Sequence, residues 1–207
     1  MANLLTLSRL LLLIIVARLF YVENDVAQLF NFFLIIVMFL TDALDGYLAR
    51  KRNESTLFGA LFDIAGDRIV ELTLWIVAAD NELVPIWVPI VFIVRGVAVD
   101  TVRAGHSALR GVAPFKIMQT AVGKAIVAGR FVRTVYAVVK AGAFCGLALL
   151  RPLPAVFPEI WNVAGSLLTA LTYGCVYLAV ALCIARGLPV IAEFIHAQKA
   201  DILLRRR

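Results

Sequence analysis

Six apolar runs divide the chain, near residues 4–22, 27–49, 56–79, 83–103, 117–150 and 160–185, with short polar stretches between them. Each is long enough for an α-helix to cross a hydrocarbon layer of roughly 30 Å, which takes about 20 residues. Inside that layer no water satisfies the backbone, so runs of this length read as helices. The pattern predicts an all-α integral membrane protein, a bundle of six transmembrane helices with both termini cytoplasmic. The fifth run is too long for one straight crossing, and its basic first turns are expected to extend into the cytoplasmic boundary. No internal repeat or low-complexity linker interrupts the pattern, so residues 1–207 are expected to form a single domain with a basic C-terminal tail over about 187–207.

Composition agrees. The chain is 62% hydrophobic with a mean hydropathy of +0.93, against about 45–50% apolar residues in soluble domains. Charge orients the bundle. The connections near 23–26 and 80–82 carry Glu23, Asp25, Asp80 and Glu82 and no Lys or Arg. The connections near 50–55 and 103–116 carry Arg50, Lys51, Arg52, Arg103, Arg110 and Lys116, and the tail adds Arg186, Lys199 and Arg205 to Arg207. Basic loops stay in the cytoplasm; only Arg151 breaks the alternation.

Other uses of these features fail. The first run lacks a basic start and a small-x-small cleavage site, so it is expected to be a retained helix rather than a signal peptide. The net charge of +6 follows the topology instead of forming a nucleic-acid-binding domain, and a basic face on anionic lipid accounts for it. Cys145, Cys175 and Cys183 lack metal-ligand spacing and read as buried free thiols. His106 and His196 are isolated and are given no catalytic role.

Against this apolar background stand four aspartates, Asp42, Asp45, Asp63 and Asp67. A carboxylate at bilayer depth is costly unless paired or metal-bound, which makes an intramembrane cluster a functional-site candidate. Oxygen-only ligands suit hard divalent cations such as Mg²⁺ or Mn²⁺, and two such ions suit phosphoryl chemistry. If two antiparallel helices turn at Lys51 to Ser55, folding about Glu54 sets Asp42 beside Asp67, Asp45 beside Asp63 and Ala49 beside Gly59. Asp42 and Asp45 are three apart and Asp63 and Asp67 four apart, so each pair shares a helix face. Asp45 would lie about 10 Å in from the turn. Gly46, Ala49 and Gly59 keep the facing surfaces bare, either for close packing or for a ligand. The expectation is a carboxylate-lined cleft opening to the cytoplasm; Arg68 and Glu71 are available as ion-pair partners.

The run from Asp42 to Asp67 resembles the signature of the CDP-alcohol phosphatidyltransferase family, D-x-x-D-G-x-x-A-R-x8-G-x3-D-x3-D. Asp42, Asp45, Gly46, Ala49, Arg50, Gly59, Asp63 and Asp67 meet every fixed position. The resemblance implies an enzyme of the bacterial inner membrane that moves a phosphatidyl group from CDP-diacylglycerol to a small polar alcohol and releases CMP. It implies Asp42, Asp45 and Asp63 as metal ligands, with Asp67 completing the second metal's surroundings and acting as catalytic general base. It further implies Gly46, Ala49, Gly59 and Arg50 as nucleotide contacts, although Arg50 also begins a basic turn where a solvated arginine is ordinary. The family often forms homodimers, so a homodimer in membrane lipid is implied too.

Outside the signature, Asn3, Thr6 and Arg9 resemble the start of the phosphatidylglycerophosphate synthases within that family. Asn3 and Thr6 are nucleotide-binding candidates; helix capping explains them equally. Arg9 reads equally as a snorkelling charge. Arg95, Arg103, Lys124, Arg130 and Arg133 are the candidates for an acceptor carrying its own phosphate, glycerol 3-phosphate first, then inositol phosphate. About half of the cations here are expected to serve topology alone. The subfamily pattern is departed from at Gly96 and at Ala125 to Val127. Inositol, serine or choline as acceptor, a CDP-choline or CDP-ethanolamine donor, and an intramembrane metal-ion transporter remain alternatives. Against the last, helices five and six supply no carboxylates to continue a path.

Overall fold

The computed structural model describes the chain except residues 1, 53–56, 111–128 and 206–207; side chains at 2–5, 43–52, 57–58, 60, 103–110, 130 and 196–205 also lie outside the described set. The described residues form helices and no strand: α1 (Ala2–Leu19), α2 (Asp25–Arg52), α3 (Leu57–Asp80), α4 (Trp87–Arg110), α5 (Arg130–Leu150), the short α6 (Pro152–Val156) and α7 (Pro158–Arg205). Each of the six apolar runs corresponds to one of the long helices. The start of the fifth run, with Lys116 and Lys124, lies outside the described residues.

Stretches long and apolar enough to cross a membrane occur at Asp25–Asp42, Phe131–Leu150 and Pro158–Ile195 among the described residues. Helices α3 and α4 have 24 residues each, but Asp63, Asp67, Arg68 and Glu71 interrupt the first and Arg95, Asp100 and Arg103 the second. Helix α7 runs for 48 residues through Pro189. At 1.5 Å per residue that is about 72 Å, more than twice a bilayer core.

The chain forms two compact units, Met1–Pro89 with Lys140–Val176, and Ile90–Val139 with Tyr177–Arg207. In the first, α1 packs against both α2 and α3. Its buried residues Thr6, Arg9, Leu13 and Val16 recur at spacings of three and four, the stripe of one helix face, and buried Phe20 follows just past its end. Fully buried Trp75 on α3 meets Phe144 on α5 at 4.4 Å between ring centroids, and Phe39 on α2 stacks on the same ring. Small residues allow α5 and α7 to approach: a Cβ on Gly146 would lie 2.2 Å from Thr172 Oγ1.

The helix ends are built locally. Asn24 Oδ1 accepts from Ala27 N at 3.0 Å and caps α2. Helix α3 ends with Glu82 N donating to Ala79 O and Leu83 N to Ala78 O, with Glu82 in the left-handed region at φ 59°. Arg151, the cation that breaks the charge alternation, donates to Asn81 Oδ1 at 3.0 Å in this turn, and Tyr173 donates its hydroxyl to Leu83 O. Beyond α1, Tyr21 donates to Asp80 Oδ2 at 2.6 Å, and that hydrogen bond to a carboxylate holds the phenol above its ordinary pKa. The thiols are free, with Cys183 buried and Cys145 and Cys175 only partly so, short of the full burial expected.

One helical turn beyond Asp67, Glu71 is buried between Arg68 Nη1 at 3.1 Å and Lys140 Nζ at 3.0 Å. Removing one member of a buried network leaves the others uncompensated, at a cost of about 3–5 kcal/mol. Glu71→Gln is therefore expected to lower the unfolding midpoint in detergent by several degrees, while leaving the KM of any substrate unchanged. Thermal unfolding followed by circular dichroism checks this, and an unchanged midpoint would mean that the network is solvated.

In the second unit Val190 on α7 packs with Val99 and Val102 on α4. Arg186 lies over the Tyr136 ring at 5.1 Å. Arg95 donates from Nε to Cys183 O at 3.2 Å, and its stem passes so close to Gly187 that a Cβ there would lie 2.8 Å from Arg95 Cγ.

Candidate active site

Asp63 and Asp67 are one turn apart on α3, and Asp42 lies in the C-terminal half of α2. Oxygens of these three carboxylates come within 4.8 Å of one another, as expected from folding the chain back between α2 and α3. Asp45 lies one turn further along α2, with its side chain outside the described set. Just before Asp42, Thr41 spends its hydroxyl on its own helix, donating at 2.9 Å to Val37 O and Met38 O.

The third wall comes from α1. Arg9 reaches all three carboxylates: Nη1 donates to Asp42 Oδ1 and, at 2.8 Å, to Asp67 Oδ1, while Nη2 donates to Asp63 Oδ1 at 2.6 Å. Its side chain is 4% exposed, whereas those of Asp42, Asp63 and Asp67 are 42%, 47% and 50% exposed. Half-open carboxylates therefore stand over a buried guanidinium. Thr6, one turn earlier on the same face, has its hydroxyl 3.5 Å from Asp63 Oδ1. Gly66 is buried where α1 crosses α3, and a Cβ there would lie 2.6 Å from Thr6 Cγ2.

The described contacts bring together Thr6, Arg9, Asp42, Asp63 and Asp67. Arg68 and Glu71, the ion-pair partners available in the sequence, pair with each other, and Glu71 also pairs with Lys140 on α5. One expectation changes. Arg9 is not a charge snorkelling to the surface but the partner of three carboxylates. The sequence signal for it was present, since Thr6 and Arg9 share the buried stripe of α1, but hairpin geometry on α2 and α3 alone gave α1 no place in the site. Gly66, a variable position in the signature, was missed for the same reason.

The remaining candidates are placed by their helices. Gly46, Ala49 and Arg50 lie in the last turns of α2, Gly59 in the first turn of α3 and Asn3 at the start of α1. Arg95 and Arg103 lie on α4, and Arg130 and Arg133 open α5, with Arg133 exposed. The side chains of Asn3, Gly46, Ala49, Arg50, Arg103 and Arg130, and the whole of Lys124, fall outside the described set.

The donor set suits a hard divalent cation. Three carboxylates converge with only one positive partner among the described residues, leaving an excess of negative charge, and every donor is oxygen. The guanidinium already marks the spot as one organised around positive charge.

Part of the chain is similar in sequence to known proteins. A protein of Rickettsia typhi named CDP-diacylglycerol–glycerol-3-phosphate 3-phosphatidyltransferase is 35% identical over 81 residues, which is 38% of this chain and 46% of that protein. Proteins of the same name from Bacillus subtilis and Wigglesworthia glossinidia brevipalpis are 38% identical over 78 residues (38% of this chain, 40% of the relative) and 30% identical over 102 residues (48% and 56%). The chain thus spans about half the length of these relatives. The family model for CDP-alcohol phosphatidyltransferases matches residues 1–185, a stretch that holds α1 to α6, most of α7 and every aspartate of the cluster. With that match, the chain belongs to the CDP-alcohol phosphatidyltransferase family.

Proposed function

We propose that this chain transfers the phosphatidyl group of CDP-diacylglycerol to a small polar alcohol, with glycerol 3-phosphate the foremost acceptor, and releases CMP. The observation that carries this reading is the convergence of Asp42, Asp63 and Asp67 within 4.8 Å, inside a sequence that meets the family signature. Asp42, Asp45, Asp63 and Asp67 would hold Mg²⁺ or Mn²⁺, two ions in all. Bound there, divalent charge neutralises the pyrophosphate of the donor and the CMP that leaves.

The chain's own groups do the rest. Asp67, half exposed at the cleft, accepts the proton of the acceptor hydroxyl as that oxygen bonds to the phosphatidyl phosphorus and the phosphorus–oxygen bond to CMP breaks. Gly46, Ala49 and Gly59 leave room for the cytidine nucleotide, with Arg50, Asn3 and Thr6 at its edge. The six long helices act as six crossings of one domain with both termini cytoplasmic, so the cleft receives its soluble acceptor from the cytoplasm and its donor from the lipid. Assembly as a homodimer belongs to the same reading and rests on the family alone.

Glycerol 3-phosphate is favoured because the relatives above bear its name and because Arg95, Arg103, Lys124, Arg130 and Arg133 supply cations for its phosphate. Arg95 is held at its Nε by Cys183 O, which fixes the guanidinium plane. Gly187→Ala would push that stem aside by contact at 2.8 Å. It is expected to raise the KM for glycerol 3-phosphate about tenfold and leave kcat within about twofold, since a charged hydrogen bond to phosphate is worth roughly 1.5–3 kcal/mol. An unchanged KM would return Arg95 to a purely topological role.

The test of the function is CMP release by purified protein in mixed micelles of CDP-diacylglycerol, with Mg²⁺ or Mn²⁺, one acceptor at a time and a chelator control. Metal-dependent release with glycerol 3-phosphate alone is the expected result. Release with another acceptor would rename the substrate, and no release from folded protein with any acceptor would overturn the reading.

A further inference from the structure

Arg9 is the one cation that the described contacts place on the aspartate cluster, and its surroundings are those of a resident ion rather than a surface charge. The guanidinium makes one hydrogen bond to each of Asp42, Asp63 and Asp67, all to the Oδ1 atom. Its side chain is 4% exposed, and its Nε is buried with no hydrogen-bond partner. That unsatisfied donor indicates that the terminal nitrogens, and hence the carboxylates, dictate where the group sits. Taken alone, three carboxylates this close repel one another strongly. A delocalised, permanently charged fork is the side chain best able to answer three acceptors at once.

We infer that Arg9 is a built-in counter-cation that competes electrostatically with divalent metal for Asp42, Asp63 and Asp67, setting the metal affinity low while keeping the metal-free cleft folded. This rests on the proposal that the aspartates hold Mg²⁺ or Mn²⁺. The reasoning is one of charge. A guanidinium bonded to three of the ligand oxygens opposes any second cation that draws on the same carboxylates, whether it is pushed aside or stays as a near neighbour. In the metal-free protein the same group offsets the cost of gathering three anions at bilayer depth. Arg9 thereby trades metal affinity for stability of the empty site. It acts through the carboxylates and is a positioning residue, not a catalytic one.

The experiment uses the full chain in detergent, without CDP-lipid, so that binding and stability are read apart from turnover. Mn²⁺ binding is followed by electron paramagnetic resonance of the free ion, and thermal unfolding is recorded with excess chelator and with saturating Mn²⁺. Arg9→Gln is purified in Mn²⁺ and titrated back with chelator, in case the empty variant does not survive. It is expected to bind Mn²⁺ about tenfold or more tightly than the parent, with a lower unfolding midpoint in chelator and a larger rise on adding the ion. Arg9→Lys keeps the charge without the fork. Its Mn²⁺ affinity should stay within about threefold of the parent, with a midpoint in chelator below the parent's.

Unchanged or weaker Mn²⁺ binding by Arg9→Gln would overturn the inference, as would Arg9→Lys binding as tightly as Arg9→Gln. These failures are separable from failure of the proposed function. In either case the parent still binds Mn²⁺ and releases CMP, whereas a parent that binds no Mn²⁺ would remove the metal reading itself.

Discussion

Asp67→Asn is expected to reduce CMP release by about a thousandfold, the scale of loss when a positioned general base is removed. Binding of CDP-diacylglycerol should change far less. Asparagine keeps the shape of aspartate and retains an oxygen that can accept from Arg9 Nη1, which donates to Asp67 Oδ1 at 2.8 Å. What it cannot do is take a proton from an alcohol. The matching substitutions at Asp42 and Asp63 should behave differently: these two are proposed as metal ligands alone, whereas Asp67 completes the second ion's surroundings and takes the proton, so at Asp42 and Asp63 divalent-ion dependence and CDP-lipid binding should be lost together. Turnover with saturating acceptor, set beside equilibrium binding of labelled CDP-diacylglycerol, separates the two patterns. Near-normal turnover in Asp67→Asn would remove it from the role of base and leave it as a ligand or a structural anion.

The second large effect is expected at a residue with no chemistry of its own. Gly66 sits where α1 crosses α3, and even a methyl group there would meet Thr6 Cγ2 at 2.6 Å. Gly66→Val adds two further carbons to a contact that has no room for one. Overpacking of this kind costs about 1–3 kcal/mol, and here it also moves the helix that carries Thr6 and Arg9 into the aspartates. The expected outcome is a tenfold or greater loss of turnover, since small displacements of aligned groups are costly, together with a lower unfolding midpoint. Gly66→Ala should be milder, because a helical threonine has a second rotamer open to it. Pairing Gly66→Ala with Thr6→Ser removes the clashing methyl and keeps the hydroxyl, so the double variant should recover most of the lost activity. Wild-type behaviour of Gly66→Val would mean that the α1–α3 crossing does not govern the site.

Helix positions and the acidic cluster were readable from the sequence because each rests on a local regularity. Apolar runs about 20 residues long have few alternatives to a helix when the backbone must satisfy itself, and each run corresponds to a long helix. Spacings of three and four residues put Asp42 with Asp45, and Asp63 with Asp67, on common faces before any tertiary contact is known. The short α6, starting at Pro152, and the full reach of α7 beyond the apolar run were not readable. Proline is tolerated in the first turn of a helix, and a helix can outrun its hydrophobic stretch whenever its polar end reaches water.

The sequence by itself determined the class of the molecule, the identity of its chemical groups and their order along the helices. Those follow from periodicity and from the fixed spacing of eight residues between Asp42 and Asp67. Only the tertiary structure decided which helix closes the cluster and which charge answers it. Arg68 was an available partner in the sequence and Arg9 read as a snorkelling charge, because a long cation reaches any helix that packs beside its own. Packing α1 against both α2 and α3 brought Arg9 onto Asp42, Asp63 and Asp67, while Arg68 and Lys140 pair with Glu71. Pairings between residues more than 50 positions apart, such as Arg9 with Asp63 and Asp67, depend on how helices cross, and no local pattern encodes a crossing.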